Sequence, residues 1–268
     1  MISAPLSFAD IWRSALLIFV LTVAAFTPLQ ASESEALPTR LTVHVVAQDA
    51  KLIQDPVGGA AVTVRNADTG EILAEGIQRG DSGSTDRIMR QPRGRGEPIF
   101  DTPGAASFVT TLHLTRPTRV EIRAEGPLDF PQAMQSAAIT MLLVPGRDIG
   151  GDGVVLTLHG FIVEVLAPAA PAVAEPAAEL AVEARVRLMC GCPTEPGGLW
   201  DADGYTIKGQ LLKGDQVVAE VPLEYAGRSS IFQGRIGVPV VGAERLRVVA
   251  SDPAGINFGM ADVPLARQ

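Results

Sequence analysis

The chain has 268 residues, with 30 acidic and 22 basic side chains, so its formal net charge is −8. An acidic chain has no electrostatic basis for binding nucleic acid or anionic lipid, because those ligands carry the same sign of charge. Aromatic residues make up only 5% of the sequence, which disfavours an extensive aromatic-lined sugar cleft. We therefore predict no nucleic-acid partner, and membrane contact only through the N-terminal segment.

The first 31 residues have the order of a secretory signal. A polar lead ends in Arg13, an uncharged apolar run covers residues 14–26, and small residues precede Ser32. A basic lead, an apolar centre of about 7–15 residues and a small-residue cleavage point define such signals. A membrane-spanning helix needs about 20 apolar residues, so this run is short for one. Residues 1–31 are predicted to be a signal peptide, or an N-terminal membrane anchor if uncleaved, and the protein to be periplasmic or secreted.

Residues 39–166 are predicted to form a first β-sandwich. Period-two alternation of apolar and polar residues, rich in β-branched side chains, indicates strands. Short strands separated by Gly and Pro turns are typical of sandwiches. The strand-like segments are 41–48, 60–76, 105–115, 119–126, 138–146 and 153–168.

A long segment rich in Gly, Pro and Arg, residues 79–104, interrupts these strands. Loops longer than about 12–15 residues are often functional or disordered. Arginine forks recognise carboxylates and phosphates. One interpretation is a solvated loop whose charges pair with the acidic second half. The alternative is a docking loop for an acidic partner, another envelope protein, that uses Arg87, Arg90, Arg93 and Arg95.

The sharpest change in composition is APAAPAVAEPAAEL, residues 167–180. Pro168, Pro171 and Pro176 prevent a continuous helix and favour an extended, semi-rigid spacer. This segment is predicted to be a linker between the first sandwich and a second sandwich over residues 181–268. The second half again alternates, as in AVEARVRLM (181–189).

Both cysteines of the chain lie in RLMCGCP, residues 187–193. Residues two apart on a strand lie roughly 6.6 Å apart, whereas a disulfide prefers Cα atoms about 5.5–6 Å apart. A Cys190–Cys192 bridge therefore requires a bend, which Gly191 permits, and so short a loop restrains the unfolded chain little. Soft thiolate and thioether ligands suit Cu(I). Three interpretations stay open: a disulfide, a redox pair, or a Cu(I) site of Cys190, Cys192 and Met189.

Two stretches carry resemblances to known families. DPVGGAAVTVRNADTGEILAEG (55–76) resembles the first hairpin of transthyretin-like and carboxypeptidase-regulatory-like domains, in which a Pro-Val-x-Gly-Ala turn introduces an alternating strand. GAASFVTTLHLTRPTRVEIRAEG (104–126) is similar to the later strand pair of those domains. VVASDPAGINFG (248–259) resembles the closing hairpin of bacterial immunoglobulin-like domains. The resemblance implies two tandem all-β sandwiches, of a kind that usually serves accessory, adhesive or carrier roles.

Local catalytic motifs do not occur. His44, His113 and His159 each lie in an alternating segment, and no metalloprotease, nucleophile-elbow or phosphate-loop motif is present. Asp201 and Asp203 lack the closing Glu of a calcium loop, so they indicate a turn. The sequence predicts an exported, non-enzymatic accessory or binding protein of the bacterial cell envelope. A periplasmic copper- or thiol-handling carrier is the alternative, and an enzyme with a dispersed site is the third hypothesis.

Overall fold

The computed structural model describes residues 35–169, 172–173, 179–237 and 242–266. The predicted signal or anchor, residues 1–31, lies outside these ranges. Strands dominate, so the prediction of an all-β chain of sandwiches is confirmed. In the described part, helical segments are single turns, at Asp55–Val57, Asp86–Arg90, Pro131–Ala133 and Ala202–Gly204. No helix among the described residues is long and apolar enough to cross a membrane.

The first half contains seven described strands in two sheets. One sheet has the order β4-β1-β7, with β1 antiparallel to β4 and parallel to β7. The other has the order β3-β2-β5-β6 and is antiparallel throughout. The strands are β1 (Leu37–Ala47), β2 (Ala60–Asn66), β3 (Ile72–Gln78), β4 (Phe108–Leu114), β5 (Thr118–Gly126), β6 (Gln135–Leu143) and β7 (Ile149–Leu158).

Strand β1 is buried on both faces, unlike its alternating neighbours. In β5, Val120 and Ile122 face the core while Arg119 is exposed, as period-two alternation predicts. In β1 every residue from Leu41 to Ala47 is buried. The inward side chains of β1 join the main core, and the outward ones lie beneath the segment that follows β3.

The second half contains nine described strands. One sheet has the order β13-β14-β10-β8 and the other β12-β11-β15-β16-β9. The strands are β8 (Phe161–Ala167), β9 (Ala172–Val173), β10 (Glu179–Leu188), β11 (Thr206–Lys213), β12 (Gln216–Pro222), β13 (Glu224–Tyr225), β14 (Ile231–Gly237), β15 (Arg245–Ser251) and β16 (Phe258–Ala266).

This order is that of an immunoglobulin domain. Such domains pair the first, second, fifth and fourth strands in one sheet, and the third, sixth and seventh in the other. Here β8, β10, β14 and β13 take the first set of places, while β11, β15 and β16 take the second. β9 continues the first strand onto the opposite sheet, where it runs parallel to β16. The immunoglobulin-like character of the second half therefore follows from its strand pairing.

The boundary between the halves differs from the sequence prediction. β8 pairs with β10, so residues 161–166 belong to the second sandwich and not to the first. Ala167 ends β8, Ala172–Val173 pair with β16, and Glu179 and Leu180 begin β10, so these parts of the 167–180 segment lie in second-half sheets. Pro168 follows the last residue of β8, where a proline cannot donate a ladder hydrogen bond, and the chain pairs again only at β9, in the other sheet. Residues 170–171 and 174–178 of the predicted linker lie outside the described residues.

The two halves are joined through loops that hydrogen-bond across the junction. Trp200 Nε1 donates to the carbonyl of Asp49 at 2.9 Å. Gln54 Nε2 donates to the carbonyl of Cys190 at 2.8 Å. Side chains from both halves, including Val57, belong to one continuous apolar cluster. The halves therefore share buried surface as well as a chain connection.

The turn between the two cysteines fits tightly against the first half. Gly191 has φ +79°, and a Cβ atom there would lie 2.8 Å from Val57 Cγ1. Gly197, in the same connection, has φ +66° but nothing within 4 Å of the corresponding position. The two glycines thus share a left-handed backbone and differ in their contact with the other half.

We expect Gly191→Ala to destabilise the protein more than Gly197→Ala. Gly197→Ala should cost about 1–2 kcal/mol, the cost of a left-handed L-residue. Gly191→Ala should cost about 1–3 kcal/mol more, because Val57 must move to admit the methyl group. Urea unfolding measures the difference as a shift in midpoint, provided that the free energy of unfolding falls with urea equally steeply in both variants. Equal midpoints would show that the added methyl group at residue 191 does not clash with Val57.

Candidate functional site

The segment 79–104, the arginine loop, is ordered over the outward face of β1. Val46, Leu52, Phe100 and Ala106 form a second small buried cluster there. Phe100 is the buried member that the loop contributes, and the partly buried Ile88 and Ile99 pack against the cluster, so the loop is packed on β1 through apolar contacts.

One carboxylate holds the end of the arginine loop. Asp152 Oδ1 accepts backbone N–H bonds from Ile99 at 2.9 Å, Phe100 at 2.7 Å and Asp101 at 3.2 Å. Three successive amides that converge on one anion form a compact, charge-assisted anchor. The arginine loop is thus fixed to β7 through the side chain of Asp152.

A lysine holds the start of the arginine loop. Lys51 Nζ donates to Thr85 Oγ1 at 3.0 Å. Burial lowers the pKa of the Lys51 ammonium below its ordinary value, since desolvation penalises the charged form. The loop is therefore attached near both of its ends.

The four arginines singled out by the sequence separate into two pairs. Arg87 Nη2 donates to the carbonyl of Pro98, and Arg90 forms an ion pair with Asp86 at 2.8 Å. These two side chains serve the internal structure of the loop.

The other pair, Arg93 and Arg95, lines an open polar groove of about 600 Å³. Its opposite wall is the glycine-rich start of β7, residues 150–153. The Arg93 guanidinium lies 4.0 Å from Asp152 Oδ2 and 5.8 Å from the centre of the Phe100 ring. Among the described residues, no acidic side chain forms an ion pair with Arg95. The groove thus presents two cations of which one is free to bind an anionic group.

A second cavity of about 320 Å³ adjoins the groove at Gly150 and Gly151. Its lining is polar and includes the side chains of Arg40, Thr42, His44, Asp101, Thr102, Ser107 and Asp148. His44 is 2% exposed, and its Nδ1 lies 2.8 Å from the carbonyl oxygen of Asp152. Because a carbonyl oxygen only accepts, Nδ1 is the donor in this hydrogen bond. His44 therefore anchors the same turn that holds the arginine loop.

The remaining singled-out residues are distributed. His113 lies in β4 and His159 follows β7, so the three histidines do not converge. Asp201 accepts from the amides of Gly197 and Asp203, as expected for a turn. Within the described ranges, no group of three or more His, Cys, Asp or Glu side chains is placed to hold a metal ion.

The cysteine pair forms a disulfide at the junction between the halves. Cys190 and Cys192 are bonded with Cα atoms 5.3 Å apart, across the bend at Gly191. Both are buried, as is Met189, at 0%, 3% and 1% exposed respectively. Thiolates, not disulfide sulfurs, are the metal-binding form of cysteine. The Cu(I) hypothesis therefore stays a prediction about the reduced protein.

Sequence reasoning missed the central role of Asp152. Its motif, GGDG, has the composition of a turn. The sequence does not indicate which distant backbone amides donate to the Asp152 carboxylate. The sequence shows only an isolated acid among glycines, with nothing that connects it to the arginine loop.

Comparison with known proteins returns only low-scoring structural alignments. No protein-family model matches the sequence, and the search of curated proteins found no match. Fibronectin(III)-like modules of Clostridium thermocellum CbhA align at 12% identity and a TM-score of 0.25, over 85% of this chain and 93% of that one. The titin immunoglobulin tandem A164–A165 aligns at 9% identity and a TM-score of 0.24, over 88% and 98%. At these values neither match bears on what the chain binds.

We expect Asp152→Ala to release the arginine loop. The amides of Ile99, Phe100 and Asp101 lose their shared acceptor, so their hydrogen exchange should accelerate by at least about tenfold. Asp148→Ala is the matched control, because Asp148 accepts from the backbone of Arg40 at 2.7 Å and does not contact the loop amides. Exchange measured by mass spectrometry that is unchanged in Asp152→Ala, or equally faster in both variants, would contradict the anchoring role.

Proposed function

We propose that this is an exported, non-enzymatic binding protein of the bacterial cell envelope, which docks an acidic partner at the arginine loop. The observation that carries the proposal is the anchoring of that loop by Asp152 beside a groove lined by Arg93 and Arg95. A loop that is ordered before binding loses less conformational entropy on association. Planar guanidinium groups match carboxylate geometry.

The hydrogen bonding around the groove favours binding over catalysis. His44 and Asp152 are each bonded to backbone groups of the neighbouring turns, and Asp148 accepts from the backbone of Arg40. Side chains that are hydrogen-bonded to backbone groups in this way hold the surrounding chain in place. The groove is open and its lining is polar, as the solvent-accessible rims of protein–protein interfaces are.

The first half is proposed to be a transthyretin-like domain. Its strand order, β4-β1-β7 facing β3-β2-β5-β6, differs from the immunoglobulin order of the second half. The turn Asp55–Val57 leads directly into β2, and the Asp-Thr-Gly turn joins β2 to β3. These features support the resemblance carried by residues 55–76. Export rests on the signal-like order of residues 1–31.

Site-specific photo-crosslinking would identify the partner. A benzophenone amino acid at Glu97, in the groove wall, should capture an acidic envelope protein in intact cells. The same group at Asp215, an exposed residue of the second half, should not capture that protein. Equal capture from both positions would indicate non-specific proximity.

Charge reversal should then weaken binding of the captured partner in a position-dependent way. Arg93→Glu combined with Arg95→Glu should raise the dissociation constant at least about tenfold, because attraction becomes repulsion. Arg116→Glu combined with Lys213→Glu changes the net charge equally and should alter binding less than about twofold. Titration calorimetry at two salt concentrations measures both. Equal weakening would show a net-charge effect, and no weakening would remove the loop as the docking site.

A further inference from the structure

The cavity beside the groove is built on the outward face of the first sheet. Arg40, Thr42 and His44 of β1 all line it, because alternate residues of a strand point to the same side. Val109 of β4 is paired with Thr42, and Ser107 precedes β4 in the same lining. The end of the arginine loop and the start of β7 supply the rest. We call the group of Thr42, His44, Ser107 and Val109 the floor of the cavity.

Two floor side chains are buried and have hydrogen-bonding atoms that the described chain does not use. Thr42 is 8% exposed and His44 is 2% exposed. His44 Nδ1 donates to the carbonyl of Asp152, and no hydrogen bond between described residues uses its Nε2 or the Thr42 hydroxyl. The hydroxyl both donates and accepts, and Nε2 accepts when the ring is neutral. Both atoms are therefore available to a polar ligand group.

The charged residues of the cavity lie away from its buried floor. Arg40 carries a positive charge, and Asp101 and Asp148 carry negative charges. All three residues are exposed, so the buried part of the lining contains no charged side chain. A charged ligand group beside His44 would lose its water without gaining a counter-charge, which is unfavourable. The floor therefore selects a neutral group that forms hydrogen bonds.

The cavity and the groove meet at Gly150, which lines both. A Cβ atom at Gly150 would have no heavy atom within 4 Å, whereas one at Gly151 would lie 3.5 Å from Pro98 Cγ. The open space beside Gly150 thus connects the neutral floor with the groove, where Arg95 is available to a carboxylate.

We propose that the cavity binds the side-chain carboxamide of a glutamine or asparagine in the acidic segment that docks on the groove. This inference rests on the docking function proposed above and adds a second feature of the partner. A carboxamide is neutral and combines an acceptor oxygen with two N–H donors, which suits two hydroxyls and an imidazole nitrogen. The cavity volume of about 320 Å³ lies at the lower end of the range of ligand pockets, about 300–1,000 Å³.

The two sites together give the docking surface its selectivity. The groove binds a carboxylate and the cavity excludes one, so a segment with acidic residues alone cannot fill both. A partner that carries a carboxamide next to its acidic residues is therefore bound more tightly than a purely acidic one.

Propionamide, which mimics a glutamine side chain, tests the cavity without the partner. Its binding to the purified protein, followed by NMR at the backbone amides of Thr42, His44 and Ser107, should saturate at millimolar concentration. Five non-hydrogen atoms can provide that affinity. Propionate and propylammonium, which are of similar size but charged, should bind at least about tenfold more weakly. Equal binding of all three, or strongest binding of propionate, would overturn the proposal.

The floor hydroxyl provides a second test. Thr42→Val removes it at nearly constant volume and should weaken propionamide binding about fivefold, through the loss of one hydrogen bond. Thr111→Val is the matched control, because Thr111 lies on β4 opposite Arg40 and does not line the cavity. Melting temperatures check that both variants fold. A propionamide affinity that is the same in Thr42→Val and in the wild type would contradict the assignment of the floor.

A substitution at Gly150 links the cavity to docking without a change of charge. Gly150→Val places a side chain in the open space where groove and cavity meet, so it should weaken docking of the captured partner at least about tenfold. Gly237→Val, at the end of β14, also enters open space and should leave docking unchanged.

The same experiment separates this inference from the docking proposal. Docking that is lost on charge reversal at Arg93 and Arg95 but kept in Gly150→Val would overturn the cavity assignment and leave the docking proposal standing. Docking that is insensitive to the charge reversal, together with selective binding of propionamide, would remove the docking proposal and support the cavity assignment.

Discussion

The burial of β1 on both faces is the constraint on which the first half depends. A central strand with apolar and uncharged residues on both sides requires cover on both sides. The opposite sheet covers one face, and the arginine loop covers the other through Phe100 and its neighbours. Such a cover must be ordered, and its backbone amides need acceptors wherever water is excluded. Asp152 supplies that acceptor, so the order of the groove follows from the need to bury β1.

Buried polar groups also fasten the sheets to each other. Gln78, at the end of β3, is fully buried, and its amide donates to the carbonyls of Val45 and Ile53. The same side chain accepts from the amide of Val45 at 2.6 Å. A buried amide whose donors and acceptor are all used imposes one relative placement of the elements that it joins. Gln78 thereby fixes β1 and the following loop relative to the second sheet.

The cysteine pair is best understood as part of the junction between the halves. A bridge across one residue restrains the unfolded chain little. It shapes a tight turn whose carbonyl accepts from Gln54 and whose glycine packs on Val57. The junction is also electrostatically distinctive. Burial and the carboxylates of Asp252, Asp49 and Asp201 raise the pKa of Tyr205 to about 12. The tyrosine is therefore neutral. Because Asp49 comes from the first half, both halves contribute to its surroundings.

The sequence alone determined the class of the fold and the approximate positions of most strands. Alternation of apolar and polar residues is a local property, and it sufficed for segments such as β5 and β10. The hairpin resemblance over residues 55–76 located the turn Asp55–Val57 and strands β2 and β3. The four arginines were also identifiable as an unusual group, because composition can be read without a structure.

Tertiary structure alone decided which segments pair, and therefore where one half ends. The pattern of residues 161–167 is that of a strand in either sandwich, and only pairing with β10 assigned it to the second. Asp152 and the arginine loop lie about 50 residues apart along the chain, so the sequence contains no sign of their contact. Hydrogen bonds between distant segments depend on the packing of the whole chain, whereas periodicity depends on a few neighbouring residues. The strands were therefore predictable, and the anchored groove was not.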